Sequence, residues 1–283
     1  MSDINAYTTA EIANLTPQSG DLVLNTDDNA VQLWNGSAWK IFNSDVSPFP
    51  NTYSLSFDGT NDYVALGNSS ALAPSNITVS AWIKVSGSVD TFNYIVSRAG
   101  STYGSYHLRY ESSNKFNVFI GHTGGAFTVL SSSNTYTLTD WHHVAFTYDQ
   151  TNLKLYVDGS EAASVAKTTA IDYNDGGKGT DTHIGKVGGT MNYSSPSEGL
   201  IDEVAIFNSA LSASKVASLR DTSGSNPVPA DIENEANLVG WWRMGDTGSD
   251  FGSDTITNAK NPGTHNGTIN GATFVSGTGN IPG

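Results

Sequence analysis

From Thr52 to Leu219 the sequence runs as short apolar segments broken by turn residues every few positions, and this rhythm limits the fold more than any single motif does. The strands expected are Tyr53 to Phe57, Tyr63 to Leu66, Ile77 to Val85, Tyr94 to Arg98, Tyr106 to Tyr110, Lys115 to Ile120, Phe127 to Leu130, Trp141 to Asp149, Asn152 to Val157, His183 to Val187 and Gly199 to Phe207. Residues 153–157 alternate Leu-Lys-Leu-Tyr-Val, and Asp158-Gly159 after them is a type I′ hairpin signal. One helix is expected in this span, Ser212 to Leu219, with Ser212 as its cap. Intervals this short leave no room for crossover helices, so the fold class read here is all-β, a two-sheet antiparallel sandwich. The 29 Gly, 12 Tyr, 11 Phe and 6 Trp agree with many turns around an aromatic-rich core.

Two flanking regions differ from this body. Residues 1–45 read as a small helix-plus-meander module. Thr8-Thr9-Ala10-Glu11 has capping-box spacing and predicts a helix of about two turns ending near Leu15. Strands are expected at residues 21–26, 30–34 and 38–42, turning at Asp27-Asp28-Asn29 and Asn35-Gly36. So few residues bury little surface, so the module is expected to dock on other chains, on its own copies or on the main domain, with Trp34 and Trp39 as anchors. Residues 46–51, with Pro48 and Pro50, read as a linker, and the main domain as residues 52–283.

In order along the chain stand Ser54-Leu-Ser-Phe-Asp-Gly-Thr-Asn-Asp-Tyr-Val64, Ile77-Thr-Val-Ser-Ala-Trp-Ile83, Trp141-His-His-Val-Ala-Phe-Thr-Tyr148, Leu155-Tyr-Val-Asp-Gly159 and Gly199-Leu-Ile-Asp-Glu-Val-Ala-Ile-Phe-Asn208. This series resembles the laminin G-like, concanavalin A-like jelly roll. The resemblance implies two curved antiparallel sheets used mostly for glycan or protein binding and in some branches for glycoside hydrolysis. Leu238-Val-Gly-Trp-Trp-Arg-Met-Gly-Asp246 and Asn266-Gly-Thr-Ile-Asn-Gly-Ala-Thr-Phe274 are similar to a segment that precedes the Phe-Asp-Gly motif in many relatives. Here they follow the helix, so strands in residues 238–276 are expected to complete the same sandwich in permuted order. Thr16-Pro-Gln-Ser-Gly-Asp-Leu-Val-Leu-Asn-Thr-Asp27, with Trp34-Asn-Gly-Ser-Ala-Trp39, resembles small modules of bacteriophage tail, fibre and decoration proteins.

Charge and composition exclude several functions. Thirteen Lys and Arg against 27 Asp and Glu give a net charge of −14, which repels polyanions and argues against nucleic acid. With no Cys there is neither a disulfide nor a thiolate ligand or nucleophile. No apolar run is long enough to span a bilayer, so no membrane insertion is expected. The start, Met-Ser-Asp-Ile-Asn-Ala, lacks the basic-then-apolar run of a secretion signal.

The candidate sites are few. A glycanase on this fold needs facing carboxylates. In Glu198-Gly-Leu-Ile-Asp202-Glu203, alternation puts Glu198 and Asp202 on one face and Glu203 on the other, so no catalytic set is expected. His142 and His143, on one strand, read as structural, with only one facing inward. Asp58-Gly59-Thr60-Asn61-Asp62 offers oxygens in one tight loop, and the resemblance implies a structural calcium shared by Asp58, Asp62 and Asp202. Sugar rings stack on aromatic faces, and the loop aromatics Phe92, Tyr103, Tyr173 and Tyr193 are the glycan-binding candidates. The reading is a non-enzymatic bacteriophage virion protein, such as a capsid decoration, fibre or tail-associated chain. It would be assembled in the host cytoplasm, carried in several copies or as a homo-oligomer, and held by residues 1–45 while a lectin-like domain contacts host-surface glycan. The alternatives are a secreted or surface adhesin and, further off, a glycoside hydrolase.

Overall fold

A computed structural model describes residues 5–18, 21–27, 30–34, 37, 39–41, 51–85, 92–100, 104–137, 139–174, 181–188, 197–222, 227–247, 250–276 and 281. The described residues divide into two compact units, 5–41 and 51–281.

The smaller unit contains β1 (Ala6–Tyr7), α1 (Thr9–Ile12), β2 (Leu22–Asn25), β3 (Ala30–Trp34) and β4 (Trp39–Ile41). They form one sheet in the order β1-β2-β3-β4, with β1 parallel to β2. The capping box forms, but α1 is a single turn rather than two. The Asn14 side chain donates to the Ala10 carbonyl and Leu15 N bonds back to Ile12, which tightens and ends the helix. Trp34 and Trp39 are cross-strand partners with rings edge to face at 5.5 Å. The Asn35-Gly36 turn and most of the Asp27-Asp28-Asn29 turn lie outside the described residues.

The larger unit is a sandwich. Its strands are β5 (Tyr53–Asp58), β6 (Tyr63–Gly67), β7 (Ile77–Lys84), β8 (Phe92–Ala99), β9 (Tyr106–Glu111), β10 (Lys115–Gly121), β11 (Phe127–Ser131), β12 (His142–Tyr148), β13 (Asn152–Val157), β14 (Ser160–Ala166), β15 (Asp181–Ile184) and β16 (Glu198–Phe207). After α2 (Ala213–Ala217) come β17 (Arg220–Asp221), β18 (Val228–Pro229), β19 (Leu238–Trp242), β20 (Thr255–Ile256), β21 (Gly267–Asn270) and β22 (Thr273–Ser276). The first sheet runs β11-β10-β9-β8-β15-β6-β21-β20, and the second runs β14-β13-β12-β7-β16-β5-β22 with β19 also on β16. The C-terminal strands thus pair with β16 and, from the start of the sandwich, with β6 and β5.

Alternation explains the layers. Leu55 and Phe57, Val64 and Leu66, Val79, Ala81 and Ile83, Val144, Phe146 and Tyr148 all enter one core between the sheets. Each large apolar side chain buried there contributes about 1.5–3 kcal/mol. Trp242 and Met244 from the tail are fully buried in the same core. Gly199 in β16 has φ +122, and a Cβ on it would lie 2.3 Å from the Lys84 carbonyl, so only glycine lets β16 and β7 approach there. β14 was not expected, because Ser-Glu-Ala-Ala-Ser-Val-Ala carries little apolar alternation; it is held as an edge strand by pairing with β13. The strand expected at His183 to Val187 instead runs from Asp181 and stops at Ile184, where Gly185 at φ +85 turns the chain against the Phe57 ring.

Candidate functional site

The first sheet sends Tyr106, Leu108, Tyr110, Phe116, Val118 and Ile120 into the core. The residues between them on β9 and β10, His107, Arg109, Asn117 and Phe119, therefore lie on the outward face. Antiparallel register sets Phe119 opposite both Val129 and His107, His107 opposite Ser97, and Ser97 opposite His183. The Phe127 and Phe119 rings stack at 5.4 Å and the Phe119 and His107 rings at 4.9 Å, both within 19° of parallel. Tyr94 meets His107 edge-on at 5.4 Å. This row of rings ends at Phe127, which is 52% exposed.

Arg109 crosses the row. Its Nε donates to Asn117 Oδ1 at 2.8 Å and its Nη1 to the Tyr94 hydroxyl at 3.3 Å, while the guanidinium sits 3.8 Å from the centroid of the Phe92 ring. Two strands away, Lys186 Nζ lies 3.2 Å from the centroid of Tyr63, whose ring meets His183 edge-on at 5.6 Å. Burial pushes the His107 pKa down to about 3, aided by the Arg109 charge, and that of His183 to about 4, aided by Lys186. Both imidazoles are neutral at pH 7. Neither ring nitrogen of His107 has a hydrogen-bond partner among the described residues, and Gly104 packs against Nε2 so closely that an added Cβ would come within 2.4 Å. The face combines aromatic surface, two cations, an amide and neutral imidazoles, a set able to stack on and hydrogen-bond a polar ring.

The outward face of the second sheet is closed by its own chain. Val216 of α2 packs on Ala145 and Tyr156. Asp158 accepts from His142 Nδ1 (2.7 Å) and from the His143 amide, and its carbonyl accepts from Arg220. Burial opposes charge on His142, but the Asp158 hydrogen bond and charge raise its pKa above the ordinary value. His143, beneath the Trp82 ring, is pushed down to about 3 by burial. Both histidines are thus held within the fold.

Farther along β16, Asn51 Nδ2 donates to Asp202 (2.9 Å) and to Glu203 (3.0 Å), Trp241 Nε1 donates to Glu203 (2.5 Å), and Arg243 Nε lies 3.2 Å from Glu203. Alternation predicted opposite faces for Asp202 and Glu203. They share Asn51 instead, because Glu203 takes φ +50 at a break in register between Asp202 and Ala205. Burial raises both pKa values, and for Asp202 the neighbouring Glu203 charge adds to the rise.

The residues singled out from the sequence separate into several places. Phe92 lies at the outward face beneath Arg109. Tyr173 does not display its ring there: its hydroxyl donates to the Pro74 carbonyl at 2.8 Å and the ring packs on Tyr106 at the margin of the core. Tyr103 and Tyr193 lie outside the described residues. Asp58 and Asp62 come together, since Asp62 Oδ2 accepts from the Asp58 amide while Asp58 Oδ1 accepts from Thr60 N. Asp202 is not with them. Glu198, not Asp202, is opposite Asp58, and four further residues at about 3.3 Å each carry Asp202 some 13 Å along the strand, where Asn51 and the Glu203 amide bind it. The three carboxylates therefore do not fit one calcium, and among the described residues no group of three or more His, Asp or Glu is placed to hold a metal. His107, Arg109, Asn117, Phe119, Phe127 and Lys186 were not anticipated. The signal was present in the polar and aromatic residues alternating with core residues on β9 and β10, but combining them needed the register.

A family model described as the concanavalin A-like lectin/glucanases superfamily, laminin G-like branch, matches residues 58–217. Among solved structures, a putative carbohydrate binding protein from Bacteroides ovatus is similar at a TM-score of 0.59 and 23% identity, over 82% of this chain and 61% of that one. A heptameric SAP-like pentraxin from Limulus polyphemus aligns at a TM-score of 0.47 and 18% identity, over 62% of this chain and 84% of that one. The CBM40 of the Ruminococcus gnavus IT-sialidase aligns at 0.49 and 15%, over 60% of this chain and 98% of that one. Comparison with curated proteins finds no match.

Proposed function

The chain belongs to the laminin G-like branch of the concanavalin A-like lectin/glucanases superfamily, and from that premise we propose that it is a non-enzymatic glycan-binding protein. The observation that carries this reading is the outward face of the first sheet, where Phe127, Phe119, Phe92, Arg109 and Asn117 form an aromatic and polar strip. The ring open to a pyranose is Phe127, 52% exposed, with Phe119, Asn117 and Arg109 buried behind it. Burial of Asp202 and Glu203, 0% and 5% exposed and bonded to Asn51, Trp241 and Arg243, supports a structural over a hydrolytic role for the pair. The test is a glycan array with the wild type and Phe127→Ala. At least one glycan should bind without being cleaved, and the variant should lose about 1 kcal/mol of binding at an unchanged melting temperature, the size of one aromatic contact. Binding equal in both proteins, or release of shortened sugar, would overturn it.

The small N-terminal unit, on this reading, attaches the lectin-like domain in multiple copies to a bacteriophage particle. The likeness of Thr16 to Trp39 to virion modules supports that assignment, as do two tryptophans on neighbouring strands of a sheet with little core of its own. Mass spectrometry of purified particles should find the chain. Its absence from particles, with release as free protein, would favour an adhesin.

A further inference from the structure

Among the described residues, the two cations on the outward face of the first sheet are stacked on rings and form no ion pair with a carboxylate. Among the described residues, ion pairs join His142 and Arg220 to Asp158, Lys154 to Glu161, Lys215 to Glu235 and Arg243 to Glu203. Arg109 and Lys186 are in none of them, although acidic residues outnumber basic ones 27 to 13. Arg109 is 8% exposed, so its charge has lost most of its water. Its Nε and Nη1 are engaged by Asn117 and Tyr94, and Nη2 has no acceptor among the described residues. Arg98, also buried and without a carboxylate, differs in having both terminal nitrogens bonded, to Thr182 Oγ1 and the Asn68 carbonyl.

Lys186 belongs to the same strip. Arg109 is opposite Tyr94, and Gly185 N bonds to Ile95 O on the next strand edge, so Lys186 leaves the backbone about two strand spacings, or ~10 Å, from Arg109. A ring face compensates a desolvated cation only in part, whereas a planar guanidinium with an unbonded Nη2 still has a donor for a carboxylate or sulfate. Among the described residues neither charge is in an ion pair, although Asp181 lies near enough to favour the charge on Lys186.

We infer that the ligand of this face is an anionic sugar, whose carboxylate or sulfate meets the unbonded Nη2 of Arg109 while Lys186 supplies the second charge. The inference rests on the reading of this face as a sugar site. It is tested by calorimetry with matched probes that differ only in the anionic group: sialyllactose against lactose, oligogalacturonide against its methyl ester, and a sulfated galactan against its desulfated form. The anionic member of at least one pair should bind about tenfold tighter, and added salt should erode the preference. Which pair responds distinguishes carboxylate from sulfate. Arg109→Met and Lys186→Met should each abolish most of the preference; if Arg109→Met does not fold, Lys186→Met and the salt titration of the wild type give the same readout. Equal binding of neutral and anionic members, unaffected by salt, overturns the inference and leaves sugar binding standing. Failure of every probe and every arrayed glycan to bind removes both.

Discussion

The outward faces of the two sheets solve the same problem differently. On the second sheet Arg220 and Arg243 meet Asp158 and Glu203 from the same chain, and Val216 of α2 closes over Tyr156. On the first sheet Arg109 and Lys186 lie against Phe92 and Tyr63, and the ring row leads out to exposed Phe127. Polar groups that satisfy one another hold the fold together; those lodged among rings with no ion pair among the described residues are the ones the proposed sugar would meet. The same kind of residue is thus structural on one face and, on the proposed reading, binding on the other.

The comparison can be broken most severely by cutting the chain. Deleting residues 230–283 removes β19, β21 and β22 from β16, β6 and β5, together with buried Trp241, Trp242 and Met244. The loss should exceed a typical domain stability of about 5–15 kcal/mol, so the truncated protein should show no cooperative melt by circular dichroism. A sharp transition at the wild-type temperature would mean that the tail is not part of the sandwich.

Substituting one arginine on each face tests the contrast itself. Arg243→Met leaves Glu203 buried without its cation and should cost about 3–5 kcal/mol in urea denaturation. Arg109→Met strands no carboxylate but frees Asn117 Oδ1 and the Tyr94 hydroxyl and removes the contact with Phe92, and should cost about 1–3 kcal/mol, less than Arg243→Met. Equal costs would erase the distinction between the faces.

Acid should destabilise both faces through their histidines. His107, His143 and His183 have folded values of about 3, 3 and 4, below the ordinary 6.5, so the unfolded chain binds protons that the folded one refuses. Stability is full above pH 6.5 and falls as the pH drops towards 4, each histidine adding up to about 1.4 kcal/mol per pH unit. His142 has the opposite sign: its raised pKa stabilises below pH 6.5, and that contribution fades as the pH rises through the folded value. Thermal melts across pH 4–8 should show a net loss on the acid side, and His107→Gln should make that slope shallower. The smallest effect expected is that of Asp202→Asn on calcium: with Asp202 bound to Asn51 and remote from Asp58 and Asp62, the heat of a calcium titration should be the same for the variant and the wild type.

Most of the strands were legible because alternation is a local property: Ile77 to Lys84 or Asn152 to Val157 can be read from the order of side chains alone. β14 was not, since its stability comes from its partner β13 and not from its own residues. Of the outward strip, Phe92 was legible as a loop-edge aromatic. Arg109, His107, Phe119 and Phe127 lie on three strands up to 20 residues apart, and the register between strands brings them into one row. The pairing of Asp202 with Glu203 was hidden for the opposite reason, a positive φ that no alternation pattern records.

By itself, then, the sequence determined the class of fold, the capped turns and the family series of motifs, because each depends on neighbours in the chain. Tertiary structure alone decided which charges are spent inside the protein and which are left over. An arginine cannot disclose from its neighbours in sequence whether a carboxylate from a distant strand will reach it, and here that difference separates Arg243 from Arg109.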